Sequence, residues 1–255
     1  MPLNSPAGPA PHTVVIGGTA GIGLATARQL LAEGHAVTVV GRDADRLKGA
    51  LDQLAADAPN PDAIGGRTAD LTSRAELDTL FGELGPVDHL VVTAPGNGSV
   101  GPLAELDLDA LGAAFESKFV SAARAIQAAL PTLAKTGSIT LVSATSAQCA
   151  MPGTAGLAAV NGAVEILVPT LALELAPVRV NAVSPGVVDT AWWDRIAPPE
   201  QRAAVFESLI PGIPVGRVAR PEEIADVIAL LVRNGFMTGV VIPADGGARL
   251  KPQQG

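Results

Sequence analysis

Tyrosine is missing altogether from the 255 residues, and the other aromatics are five phenylalanines and two tryptophans. No phenol is therefore available as a proton donor. The single cysteine, Cys149, excludes an intrachain disulfide and fits a reducing compartment. Histidine occurs three times, at His12, His35 and His89, and no spacing of Cys, His, Asp and Glu has the pattern of a metal site. Charged residues make up 16% of the chain, and their net charge of −8 has the wrong sign for a nucleic-acid groove. No uninterrupted apolar run reaches the ~18 residues of a membrane span. Residues 1–12, rich in Pro and Ala, lack the basic and apolar regions of a signal peptide. The expectation is a soluble, cytoplasmic protein with a disordered leader over 1–12 and neither membrane nor nucleic acid as partner.

What is abundant is apolar aliphatic sequence, 48% hydrophobic with 28 glycines, enough for a large core with helices packed closely on a sheet. From Thr13 onward short Val/Ile-rich runs alternate with longer Ala/Leu-rich ones. Strands are expected at Thr13–Gly17, Ala36–Val40, around Arg67, His89–Thr93, Ser138–Ser143, Arg179–Ser184 and Val240–Ile242. Helices are expected at Gly21–Glu33, Ala44–Ala56, Arg74–Leu84, Leu108–Leu130, Ala155–Leu175 and Glu222–Val232, the fifth kinked at Pro169. Continuous apolar strands alternating with helices define an α/β, doubly wound parallel sheet of about seven strands covered on both faces, a Rossmann fold. One domain spans 13–247, with a lid over 187–220 and a tail at 248–255.

The first strand runs into Gly17-Gly18-Thr19-Ala20-Gly21-Ile22-Gly23 and then a helix. Glycines let the backbone approach a pyrophosphate, and the helix N-terminus offers free N–H groups, so this segment reads as a nucleotide site. The spacing of Gly17, Gly21 and Gly23 resembles the signature of the short-chain dehydrogenase/reductase family. Further matches follow in the family's order: Asp70-Leu71, Gly96, Asn181 to Pro185-Gly186, Thr190, Pro221 to Ile224, and Asp245-Gly246-Gly247. The resemblance implies a dinucleotide held by Gly17, Thr19, Gly21, Ile22, Gly23, Asp70, Leu71, Gly96, Pro185, Gly186, Val188 and Thr190. At the end of the second strand Gly41 stands where an NAD site places an acid, and Arg42 follows. That arrangement points to NADP(H), with Arg42 on the 2′-phosphate; Asp43 reads as a helix N-cap.

Family members reduce carbonyls with Ser, Tyr and Lys plus an Asn on a neighbouring helix. In the family's register these positions fall on Ala144, Leu157, Asn161 and Lys118, so all four differ from the pattern. Asn and Lys look exchanged, which brings a Lys118 ammonium towards the usual lysine's neighbourhood. Lys118, Asn161 and Ser143 are the candidate catalytic residues, with Ser143 facing away from Ala144. Glu116 and Glu165 read as helix-surface residues, Asp189 as a cap of the next helix, and Cys149 as a small residue lining the cleft. Thr93, Ala144, Met151, Leu157, Trp192 and Trp193, beside Ile196, outline an apolar pocket suited to a hydrophobic substrate. The leading expectation is an NADPH-dependent reductase of an imine, iminium, enone or activated carbonyl in biosynthesis. A non-redox cyclase or isomerase, and a catalytically silent NADP-binding subunit, are the alternatives. The Ala/Leu-rich helices at 108–130 and 155–175 suggest a homo-oligomer, a dimer or tetramer.

Overall fold

The computed structural model describes residues 9–93 and 100–250. Val-rich runs form seven strands: β1 His12–Ile16, β2 Ala36–Gly41, β3 Ile64–Thr68, β4 Val87–Val92, β5 Leu133–Val142, β6 Arg179–Pro185 and β7 Val241–Ala244. All pairings are parallel, in the order β3-β2-β1-β4-β5-β6-β7, as a doubly wound sheet requires. The order reverses between β1 and β4, and a crevice opens beyond the carboxyl ends of the strands at such a switch point.

Eight α-helices cover the sheet among the described residues: α1 Gly21–Ala32, α2 Ala44–Asp57, α3 Arg74–Leu84, α4 Leu108–Phe115, α5 Ser121–Ala129, α6 Ala155–Glu174, α7 Arg202–Leu209 and α8 Pro221–Arg233. Strand residues alternate between two cores. Val14, Ile16, Leu90, Val92, Ile139, Leu141, Val180 and Ala182 meet α3, α5 and α6, whereas Val15, Val37, Val39, Val91 and Val183 meet α1, α2 and α8. Burying each Val, Leu or Ile contributes roughly 1.5–3 kcal/mol, so the two apolar layers dominate the stability of the fold.

Three departures from the sequence expectations have physical causes, and one expected helix has a feature of its own. His12 belongs to β1 rather than to a leader: its backbone N–H donates to Asp88 at 2.8 Å, and its ring meets Thr38 Oγ1 and the Pro86 carbonyl. The helix expected over Leu108–Leu130 is two helices joined by a π-helical turn, Glu116–Val120. There the Glu116 carbonyl accepts from both the backbone N–H and the hydroxyl of Ser121. The lid segment holds a helix of its own, α7, which the sequence reading left without structure. Finally, α6 is a 20-residue helix long and apolar enough by composition to cross a membrane, with a mean hydropathy of 1.6. Here one face of it packs on the sheet, through Val164, Val168 and Ala172, and the helix continues through Pro169.

Candidate active site

Two groups of residues converge at the carboxyl edge of the sheet. The first surrounds the turn between β1 and α1. Gly17 and Gly21 have φ of 77° and 52°, in the region that favours glycine. A Cβ at Gly23 would lie 2.3 Å from the Gly17 carbonyl oxygen and 2.6 Å from Thr93 Oγ1, so only glycine lets α1 start this close to the turn. Ala20 caps α1 without a side-chain hydrogen bond, and the first turn contains no acid. By contrast, Asp43 caps α2 by accepting from the Arg46 N–H, and Ser73 caps α3 by accepting from Glu76. The start of α1 therefore presents its N–H groups and positive dipole end to an anion, as a pyrophosphate requires.

Of the remaining residues expected there, Gly96 lies outside the described residues. Thr190 Cγ2 would stand 3.1 Å from a Cβ on Gly21, so the loop after β6 closes directly over the glycine turn. That loop is pinned by Gly186 N–H on the Ala244 carbonyl and by a bridge between Val188 and Ala219. Thr190, not Asp189, caps the following 3₁₀ turn, while Asp189 pairs with Arg202. Arg42 is exposed beyond β2 and makes no hydrogen bond or ion pair with the described residues; its charge reaches Asp70. Asp70 Oδ1 accepts from the Thr72 N–H and hydroxyl, bonds that hold its carboxyl below the usual range. Leu71 follows it, partly buried. Thr93 donates to the Ile16 carbonyl at 2.9 Å and touches the glycine turn, so it lies with this group and not with an apolar pocket.

The second group is polar and sits under α6. The π turn carries Lys118 into the interior, 9% exposed, where its Nζ donates to the Ser143 carbonyl at 3.4 Å. Burial pushes the ammonium down to about 8, against the upward pull of the Glu165 carboxylate. Ser143 and Ser184 continue the faces of β5 and β6 that look at α6. Both hydroxyls donate to Glu165 Oε1 at 2.7 Å, and Gln148 Nε2 donates to Oε2 at 2.9 Å. Glu165 is thus not a helix-surface residue. It lies four residues after Asn161 on the inward face of α6, and this i, i+4 spacing was the available signal. Glu116, in contrast, is partly exposed and paired with Arg124.

Asn161 is 3% exposed, and its amide donates to the Leu157 carbonyl at 2.9 Å and to Ser146 Oγ at 3.1 Å. A carbonyl can only accept, so this contact fixes the amide orientation. The buried Oδ1 accepts from none of the described residues. Lys118 and Asn161 form no hydrogen bond with each other, although the π turn packs against α6.

Of the apolar candidates, Ala144 and Leu157 are partly buried beside this group, and Met151 is 41% exposed. Trp193 holds the lid together. Its indole N–H donates to the Val188 carbonyl at 2.9 Å and its ring meets Trp192 and Phe206 edge-on at 5.1 and 5.4 Å. His35 and His89 lie at the opposite, amino edge of the sheet, in a depression shared with Arg179. Among the described residues no cluster of His, Cys, Asp and Glu is arranged for a metal ion.

A doubly wound sheet with an anion-ready helix start at its switch point defines a dinucleotide-binding class of protein. A family model described as enoyl-(acyl carrier protein) reductase matches residues 17–249. ATR9, a short-chain dehydrogenase/reductase of Stachybotrys chlorohalonatus, is 32% identical over 254 residues, covering 93% of this chain and 96% of its own. The chain belongs to the short-chain dehydrogenase/reductase family. Among solved structures, an NADPH-bound short-chain oxidoreductase of Pseudomonas aeruginosa with an atypical catalytic center is 29% identical. It superposes with a TM-score of 0.86, covering 96% of this chain and 98% of that one. The MalC reductase/Diels-Alderase of Malbranchea aurantiaca is 27% identical with a TM-score of 0.86, covering 95% and 97%.

Proposed function

We propose that the protein is an NADPH-dependent reductase of a hydrophobic small molecule in biosynthesis that works without the family's tyrosine acid, and that Lys118 takes the place of the missing lysine. The observation that carries this reading is the buried ammonium beside Ser143, at the edge of the sheet where the glycine turn also opens. NADPH, when bound, supplies the hydride. The start of α1 at Gly21, Ile22 and Gly23 would hold its pyrophosphate, Arg42 its 2′-phosphate and Asp70 its adenine. Asn161 Oδ1, a buried acceptor with no donor among the described residues, suits a ribose hydroxyl.

Lys118 holds positive charge in a dry environment, where it opposes negative charge developing on a substrate oxygen far better than in water. An enone or activated carbonyl would use that charge and take its proton from water after hydride addition, whereas an iminium substrate needs no proton at the carbon receiving hydride. Ser143 acts through its carbonyl on Lys118 and through its hydroxyl on Glu165. Leu157, Met151 and Trp192 leave the substrate side apolar. A cyclase reading stands beside the reductase one because the relative MalC is both a reductase and a Diels-Alderase.

The test is NADPH oxidation against a panel of imines and enones. Lys118→Met should lower turnover by ~10²-fold or more, the scale of losing one electrostatic stabiliser, with much less change in NADPH affinity. Wild-type turnover should fall as pH rises through about 8, where the ammonium loses its proton. Full activity of Lys118→Met refutes the assignment. Product formation without NADPH oxidation selects the cyclase, and nucleotide binding without turnover the silent subunit.

A further inference from the structure

The strongest polar feature outside the family's own set of residues is the carboxylate of Glu165. It stands on a helix whose only other charged residue is Glu174, near the C-terminal end. Ser143 and Ser184, from two adjacent strands, both donate to its Oε1 at 2.7 Å, and Gln148 to its Oε2 at 2.9 Å. Its three donors among the described residues are all neutral, so no hydrogen-bond partner neutralises its charge. The neighbouring cation is Lys118, which reaches the carbonyl of Ser143, the residue whose hydroxyl Glu165 holds. No cation among the described residues is bonded to Glu165. Arg124 on α5 is engaged by Glu116, and the end of β5 contributes only the neutral Ser143 and Thr145. A buried ammonium without a counter-charge is costly, and a carboxylate fixed by three neutral donors is a preorganised one.

We propose that Glu165 is the positioning residue of the active site: through Ser143 and through space it is the counter-charge of the Lys118 ammonium, and through Gln148 it clamps the 143–148 segment against α6. This rests on the reading of Lys118 as the charged group of the site. Glu165 touches neither substrate nor cofactor in this assignment. It sets how much of Lys118 is protonated, and thereby the pH range in which the enzyme works. Burial already lowers Lys118 to about 8, with Glu165 opposing the fall, so removing the carboxylate lowers it further.

Lysine occurs four times in the chain, at Lys48, Lys118, Lys135 and Lys251, so ¹³Cε-lysine spectra can be assigned with Lys118→Met alone. In Glu165→Gln the titration midpoint of the Lys118 signal should fall by about one pH unit or more, the scale of losing a nearby opposite charge. The alkaline limb of the pH–rate profile should move down with it, while NADPH affinity holds. A folded Glu165→Gln protein whose Lys118 titrates as in wild type overturns the proposal. If that variant is too unstable to titrate, Lys118→Met/Glu165→Gln decides. Glu165→Gln should cost clearly less stability in the Lys118→Met background than in wild type, and an equal cost in both backgrounds overturns the pairing. Full turnover by Lys118→Met would remove the catalytic reading and leave this pairing standing, so the two failures are distinct.

Discussion

The substitution Lys118→Met keeps most of the side chain's volume and removes its charge. Lys118 is 9% exposed, and its ammonium donates among the described residues only to the Ser143 carbonyl, at 3.4 Å, and feels Glu165 without forming a close ion pair. Burial, partly opposed by Glu165, lowers its pKa from 10.5 to about 8. Between those values the unfolded chain binds more protons than the folded one, so this residue makes stability rise with pH across that window. Below about pH 8 both states are charged, and the folded state bears the full cost of the buried ammonium. At roughly 1.4 kcal/mol per pH unit, that cost is about 3 kcal/mol near neutrality. Lys118→Met should therefore stabilise the protein by on the order of 1–3 kcal/mol near pH 7, since lost hydrogen bonding and imperfect packing offset part of the gain. The advantage should shrink across that window and approach zero above pH 10.5, where neither the folded wild type nor its unfolded chain holds the proton on this group. Chemical denaturation at one protomer concentration, repeated across this range, measures both quantities. With no tyrosine in the chain, few other groups titrate there, and the difference between the two proteins isolates Lys118. Equal stability near neutrality, or a difference that persists unchanged at high pH, would refute the placement of a charged lysine in the interior. A variant that is more stable and less active is the pattern expected where function is built on a locally unfavourable group.

Two further outcomes test the cofactor and the assembly. Arg42→Ala should weaken NADPH binding by ~10- to 100-fold and leave NADH nearly unaffected, the scale of a charge-assisted contact to phosphate; equal wild-type affinities in a fluorescence titration would remove the assignment. On the outer face of α6, Ile166 and Leu173 are 73% and 84% exposed, and Leu108 on α4 is 67% exposed, an apolar surface suited to a second copy of the chain. Light scattering at micromolar concentration should give a dimer or tetramer, Ile166→Asp with Leu173→Asp should lower the mass, and a wild-type monomer would contradict the prediction.

The fold was legible because parallel strands buried on both faces write themselves as unbroken Val/Ile runs, and because each glycine of the first turn has a steric reason to be there. Gly23 cannot be anything else while the Gly17 carbonyl sits 2.3 Å from its missing Cβ. The site was legible only in part. Lys118 stood out by its residue type, yet nothing in Glu116-Ser117-Lys118-Phe119-Val120 announces a π turn. The cause lies at Ser121, whose N–H and hydroxyl both reach the Glu116 carbonyl, a bonding choice that depends on tertiary packing. Glu165 was misread because a carboxylate on a helix is usually solvated. Its position argued otherwise: Asn161, Val164, Glu165, Val168 and Ala172 follow the inward face of one helix. Ser143 and Ser184 lie two residues beyond Leu141 and Ala182, so strand alternation aims both hydroxyls at that same face. Two serines at the ends of adjacent strands and a glutamate on the helix above them form a pattern that periodicity alone can find. Recognising it required treating the polar residues with the same alternation rules used for the apolar ones. That is also why Lys118 and Glu165 belong in one account, since the carboxylate opposes the cost that burial puts on the ammonium.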